Sequence, residues 1–288
     1  MVSFARRSAR FPGVFLAPAI ITLAAIVLFP TAYLLYLSFR HWVVTRPEKY
    51  FSGLANYGLV LGSSTFWHSA ATTAVFVAAS CLVTLVLGLA LAVALNRRFR
   101  GRGVIRALVV LPLLIPPVVA GFTWRFLLNR EIGMLGSWIL PSLGLNASML
   151  ADPNLAMVSI VIADVWSRTS FMFLILIAAL QSIDMSLYEA ARIDGASSRQ
   201  EFTFITLPLL VPAIIVGLIF RAIEAVNVFD LIYVMTQGGP GTATQTLSLY
   251  GWRVAFTSFD IGRGAAIAVV MVIFAIIGTT LLSRRVLR

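Results

Sequence analysis

Chemically versatile residues are scarce in this chain. It has one cysteine, Cys81, two histidines, His41 and His68, and one lysine, Lys49. A single cysteine forms no intrachain disulfide, and Cys81 lies in an apolar run, where a free cysteine serves as a small buried residue. The histidines stand far apart with no thiol or carboxylate at ligand spacing, so no metal centre is expected. Lys49 follows Glu48 and lies in no glycine-rich loop, so the chain lacks the lysine of a phosphate-cradling loop and any nucleotide is bound by another subunit. Charge is scarce as well. Only 11% of residues are charged, under half of the ~25% found in soluble domains. Acidic residues are fewer than basic ones, 11 against 22, which leaves a net charge of +11. With 60% hydrophobic residues and a mean hydropathy of +0.95, the excess arginine points to the cytoplasmic loops of a membrane protein and away from nucleic-acid binding.

What the chain has in abundance is long apolar runs. Six are expected to span a membrane: 11–39, 68–95, 107–128, 155–180, 204–228 and 264–282. The first follows Arg6, Arg7 and Arg10 but is far longer than the ~7–15 apolar residues of a signal peptide. Pro112, Pro116 and Pro117 interrupt the third, a break that neighbouring helices can satisfy inside a membrane. Arginines cluster at the start, in 97–106 and at Arg284, Arg285 and Arg288. That pattern places both termini and the loops 96–106 and 181–203 in the cytoplasm, although Arg40, Arg46, Lys49, Arg130, Arg253 and Arg263 fall in loops assigned outside. The expected fold is all-α and integral to the membrane, with six helices in a single transmembrane domain over 1–288. Trp42, Trp67, Trp124, Trp138 and Trp252 lie near predicted helix ends and suit an interfacial belt.

One polar interruption stands out, at 189–208. Asp184 can cap a helix over 185–194, and Gly195 can end it in the left-handed conformation. Ser198-Arg199-Gln200-Glu201 has the form of a capping box and starts a second short helix, with Pro208 just inside the next span. A plain connecting loop would explain the caps. It would not explain the length, or the small residues Ala190, Ala191, Gly195 and Ala196, which permit close backbone approach.

Four charges lie inside predicted spans. Asp164 and Arg168 are an i,i+4 pair with Phe171 on the same face, and Arg221 and Glu224 are an i,i+3 pair. Each such charge costs about 2.5–3.5 kcal/mol at mid-membrane and normally faces a bundle interior or cavity. Pairing on the same helix is expected to reduce that cost. Two roles fit. The four charges line a solute path, with Phe171 or Trp166 stacking on the solute and Asn227 beside them, or they staple helices together.

The segment 189–208 resembles the E-A-A, three residues, G, nine residues, I, one residue, L-P motif of ABC importer permease subunits. Every fixed position matches, from Glu189, Ala190 and Ala191 through Gly195 and Ile205 to Leu207 and Pro208. Other stretches are similar to carbohydrate-uptake permeases of the maltose, glycerol-phosphate and trehalose type, in particular the maltose-type first permease subunit. They are Leu28-Phe29-Pro30 with Ser38-Phe39, Gly53-Leu54-Ala55-Asn56-Tyr57, and 229–240 with Thr244-Gln245-Thr246-Leu247 and Tyr250. The resemblance implies the type I, MetI-like permease fold with a cytoplasmic coupling helix-turn-helix at 184–206, in a bacterial inner membrane.

By that resemblance Glu189, Ala190, Ala191, Asp194, Gly195, Ala196, Leu207 and Pro208 couple the chain to an ATPase. Asp164, Arg168, Phe171, Arg221, Ala225 and Val228 fall on pocket positions, with Glu224 and Asn227 beside them. Asp184 stands where many sugar-type relatives have proline. The implied partners are a paralogous second permease, two ATPase subunits and an extracytoplasmic solute-binding protein, together with membrane lipid. The chain itself is implied to bind no cofactor and to catalyse no reaction, with ATP and Mg on the ATPases. The solute implied is a sugar, polyol or related hydroxylated molecule. The alternatives are an ABC permease for a non-carbohydrate solute, or a secondary transporter that needs no ATPase.

Overall fold

A computed structural model describes residues 11–97, 99–145 and 148–283. Arg6, Arg7, Arg10, Arg98, Arg284, Arg285 and Arg288, all used for the expected orientation, lie outside the described residues. In chain order the elements are α1 (Phe11–Ser38), β1 (Arg40–Trp42), β2 (Lys49–Phe51), α2 (Ala55–Leu61), α3 (Ser64–Asn96), α4 (Arg102–Val110), α5 (Pro117–Leu127), α6 (Leu140–Ser142), α7 (Pro153–Gln181), α8 (Met185–Ile193), α9 (Ser198–Glu201), α10 (Leu207–Val226), α11 (Asp230–Met235), α12 (Leu247–Trp252) and α13 (Ile261–Ser283). Among the described residues five helices are long and apolar enough to cross a membrane, or six if the bent pair Arg102–Leu114 and Pro117–Leu127 forms one span.

The third span departs from expectation. It is two helices meeting at 99°, not one run over 107–128. Pro116 and Pro117 both lack an N–H, and Ile115 before them is forced into an extended conformation with ψ of 122°. The basic stretch before it is also less loop-like than expected, because α4 already begins at Arg102. Arg106 donates from Nε and Nη2 to the Leu95 carbonyl, at 3.2 and 2.7 Å, and so closes the C-terminus of α3.

The chain divides into two compact units. The first comprises the described residues up to Ser63 together with Gly251–Val270. It contains a two-stranded antiparallel hairpin, β1 with β2, in the stretch expected to be a loop. Lys49 lies over the Trp42 ring at 4.4 Å, and His41 stacks on Tyr50 at 4.8 Å. Buried Asn56 donates to the carbonyls of Ser38 and Arg40, both at 2.9 Å, and the Ser38 and Tyr57 hydroxyls lie 2.7 Å apart. The Asn56-Tyr57 pair is therefore a clasp on the end of α1.

The second unit comprises Ser64–Tyr250 and the described residues from Met271. Helices α3 and α7 pack along much of their lengths, and α10 lies against both. Their core includes Ala92, Leu95, Met172, Phe173, Leu176, Ile177, Leu180 and Leu210. Met172 of α7 enters the gap left by Gly88 of α3 and Gly217 of α10. A Cβ at either glycine would fall 2.7 or 2.9 Å from the Met172 side chain. Asp152 starts α7 by accepting from the backbone N–H of Asn154 and Leu155, with Pro153 at the first helical position. The stretch that follows Gly238-Gly239-Pro240 is folded inward. Thr244, Gln245 and Thr246 are buried, Gln245 donates to Ser69 Oγ at 3.2 Å, and Thr73 Oγ1 accepts from the Leu247 N–H at 2.9 Å.

Candidate functional site: a charged cavity and a capped hairpin

Both candidate regions lie in the second unit. A cavity of about 330 Å³ is lined by Asp164, Ser167 and Arg168 of α7, by Arg221, Ile223, Glu224 and Asn227 of α10, and by Pro117 and Ala120 of α5. Val228, Phe229, Asp230 and Leu231 complete the wall. The bend at Pro116–Pro117 is what brings α5 to this cavity, because α5 packs on α11.

The charges pair across helices, which differs from the expected same-helix pairing. Arg221 Nη2 is bound to Asp164 Oδ2, and Ser80 Oγ of α3 bonds to both, at 2.6 Å from Arg221 Nη2. This cluster joins three helices and, although Asp164 and Arg221 border the cavity, it is nearly sealed, with Arg221 1% and Asp164 4% exposed. Roughly one turn away, Arg168 Nη1 meets Glu224 Oε1 at 2.9 Å. Here the Glu224 side chain is 42% exposed. The same-helix contact between Arg221 and Glu224 is looser, at 3.8 Å. The physical reason is that one helix face carries both members of each i,i+4 or i,i+3 set, and that face abuts the other helix, so oppositely charged partners across the gap lie closer.

Not every predicted wall residue reaches the cavity. Asn227 and Val228 line it, and Asn227 Nδ2 also donates to the Ile223 carbonyl at 2.9 Å. Phe171 packs edge-on against Phe220, with centroids 6.3 Å apart, and Ala225 is fully buried; neither lines the cavity. Trp166 packs edge-on against Trp124 and faces a separate apolar groove of about 420 Å³ between α3, α4 and α7. Sequence reasoning does not single out Ser80, Ser167 or Asp230 as site residues. Asp230 lay in a stretch singled out for other reasons, and nothing in the sequence around Ser80 marks it.

The second region is the hairpin. Asp184 caps α8, its carboxylate accepting from the Ser186 N–H at 2.9 Å, and that backbone hydrogen bond holds its pKa below the ordinary carboxylate value. Gly195, at φ +82°, ends α8. Ala196 N–H donates to Ala191 O at 2.9 Å and Gly195 N–H to Arg192 O at 3.1 Å, the two bonds of a Schellman turn. The capping box sits one residue earlier than expected, on Ser197 and Gln200. Glu201 is thereby free to accept from Arg192 Nε at 2.8 Å, and Tyr188 and Thr206 hydroxyls lie 2.9 Å apart.

Nor is there a break between the second short helix and the next span. Ser198–Val226 is one candidate span, in which a π-helical turn, Phe202–Thr206, leads into Leu207 and Pro208. Pro208 contributes no N–H to the ladder, and the turn widens where that bond is missing. Glu189, Ala190, Asp194 and Gly195 are exposed, Ala191 and Ala196 half-buried, and Ile193 is 87% exposed.

Residues 84–287 match the family model of the binding-protein-dependent transport system inner membrane component. The chain belongs to that family. Members are inner-membrane transport components, which agrees with the several apolar helices. The trehalose/maltose transport system permease protein MalF of Thermococcus litoralis is 42% identical over 264 residues, 91% of this chain and 89% of that protein. The sulfoquinovosyl glycerol transport system permease protein SmoG of Agrobacterium fabrum is 38% identical over 259 residues, 89% of this chain and 83% of that protein. Among solved structures, a bacterial ABC transporter involved in the import of the acidic polysaccharide alginate superposes with a TM-score of 0.81 at 25% identity, over 98% of both chains. The fold is therefore that of an ABC transporter permease.

Proposed function

We propose that the chain is the membrane-spanning permease subunit of an ATP-driven importer for a sugar, polyol or related hydroxylated solute. One observation carries this reading: the single helix Ser198–Val226 begins at the capped hairpin and ends in the charged wall of the cavity. The exposed part of the hairpin, with Glu189, Ala190, Asp194 and Gly195, docks on an ATPase subunit in the cytoplasm. When ATP closes the paired ATPases, the displacement of α8 passes through the Arg192–Glu201 and Tyr188–Thr206 contacts into α10, and so to Arg221, Glu224 and Asn227. ATP and Mg²⁺ are held by the ATPases. A second, paralogous permease completes the path, and an extracytoplasmic binding protein delivers the solute. Both termini lie in the cytoplasm. The names of the trehalose/maltose and sulfoquinovosyl glycerol permeases support the hydroxylated solute.

The test is uptake into liposomes that hold this chain with its partner permease and ATPases, supplied with the binding protein. Uptake is expected to require ATP and every one of these components. Uphill uptake by this chain alone, driven by an ion gradient, would sink the proposal. If the binding protein recognises amino acids and no hydroxylated solute, the importer reading stands and the solute class falls.

A further inference from the structure

The relatives above are named for solutes of different charge, since trehalose and maltose are neutral and alginate is described as acidic. Family membership leaves the solute's charge undecided, but the cavity wall bears on it. Two arginines, Arg168 and Arg221, face three carboxylates, Asp164, Glu224 and Asp230. Both arginines are already engaged, Arg221 by Asp164 in the sealed cluster and Arg168 by Glu224 at 2.9 Å. No described cation on this wall is without a carboxylate partner. An anion entering here would have to displace Glu224 from Arg168 and then lie beside the displaced carboxylate, with Asp230 adding repulsion. A neutral hydroxyl has no such conflict. It donates to a Glu224 oxygen or accepts from the Arg168 guanidinium through charge-assisted hydrogen bonds while the ion pair stays intact.

We infer that the Arg168–Glu224 pair and Asp230 form a charge filter that accepts uncharged polyhydroxy solutes and rejects anionic ones of the same shape. The inference rests on the importer reading. Its test is equilibrium binding, so its failure is separable from a failure of ATP-driven uptake. The assembled permease–ATPase complex is titrated with trehalose and with trehalose 6-phosphate, which differ only in the charged group. Trehalose is expected to bind more tightly, by roughly tenfold or more, as befits a like charge placed within a few ångströms. Glu224→Gln keeps the side-chain volume and frees Arg168, and it should narrow that gap by roughly tenfold. Asp230→Asn lies outside the ion-pair ladder and should narrow it in the same direction by less. Equal or tighter binding of the phosphorylated sugar to the unmodified complex, or no binding of either probe, overturns the inference. If Glu224→Gln fails to assemble, Asp230→Asn decides, and an unchanged ratio in that variant overturns it as well.

Discussion

The two ion pairs between α7 and α10 each join an arginine to a carboxylate, with the signs exchanged between the helices, and their surroundings differ. Asp164 and Arg221 are sealed, joined by a third helix through Ser80. Arg168 and Glu224 border the same cavity as Asp164 and Arg221, but their side chains are 25% and 42% exposed. A sealed pair has lost its hydration and survives only while every partner is in place. An open pair keeps lone pairs and N–H groups for a passing molecule. Residue identity therefore does not assign the role of an intramembrane charge. Burial and the presence of a third partner separate the two pairs, so stapling and solute contact, posed as alternatives for all four charges, can be tested pair by pair.

The largest effect should come from breaking the sealed pair. Arg221→Ala leaves the buried Asp164 carboxylate with the Ser80 hydroxyl and no arginine, and Asp164→Ala leaves buried Arg221 with only the looser Glu224 contact; breaking such a pair costs about 3–5 kcal/mol. Thermal unfolding of the purified complex should show a large loss of stability, or the subunit should fail to assemble. The double variant Asp164→Leu with Arg221→Met removes both charges and should recover most of that loss, since a well-packed apolar pair is often as stable as a buried ion pair. Recovered transport in the double variant would make the pair a fastening. Recovered stability without transport would return Asp164 and Arg221 to the solute path. If either single variant is as stable as the parent, the contrast with Arg168–Glu224 collapses.

The sequence foretold some of this and not the rest, for identifiable reasons. Apolar length alone marks the spans, because nothing else keeps so many consecutive hydrophobic residues in one chain. Pro116 and Pro117 announced a break in the third span, but a 99° bend depends on the packing of α5 against α11, which is a tertiary matter. The capping box had two equivalent solutions, Ser197 with Gln200 and Ser198 with Glu201, at identical spacing. Arg192 of the preceding helix takes Glu201 and so selects the first. The cross-helix ion pairs needed the relative register of α7 and α10, which one sequence does not contain. The Gly195 turn and the Asp184 cap were legible because both depend on neighbours a few residues away.

Gly195 tests whether the hairpin, and not only the cavity, governs transport. A Cβ there would meet no atom within 4 Å, so a substitution is opposed by the backbone at φ +82° and not by a clash. The left-handed conformation costs an ordinary L-residue about 1–2 kcal/mol, less for Asn or Asp. Gly195→Val should therefore uncouple ATP hydrolysis from uptake more than Gly195→Asp, with assembly intact in both. Equal coupling in the parent and the Val variant would argue against a coupling role for this turn. Arg192–Glu201, in the hairpin, is half open, with the Arg192 side chain 60% and the Glu201 side chain 12% exposed. Arg192→Ala should raise the ATP hydrolysed per solute imported by at most roughly a factor of two to five, the scale of an exposed ion pair. Disassembly of the complex in that variant would mean that Arg192–Glu201 behaves like the sealed pair.

The smallest effect belongs to a carboxylate whose partner here is the backbone. Asp184 accepts from the Ser186 N–H, and this bond lowers its pKa in the folded protein relative to the unfolded chain. A lowered folded-state value means that its stabilisation of α8 is complete above the ordinary carboxylate pKa, about 4, and is lost as pH falls through the folded value. Hydrogen exchange at the Ser186 amide should therefore show protection that declines under acid conditions. Asp184→Asn retains a side-chain oxygen that caps a helix about as well as aspartate but does not titrate. Its protection should stay level where that of the parent declines. A parallel decline in both proteins would place the titrating group elsewhere, and α8 would then owe its start to docking and not to its own cap.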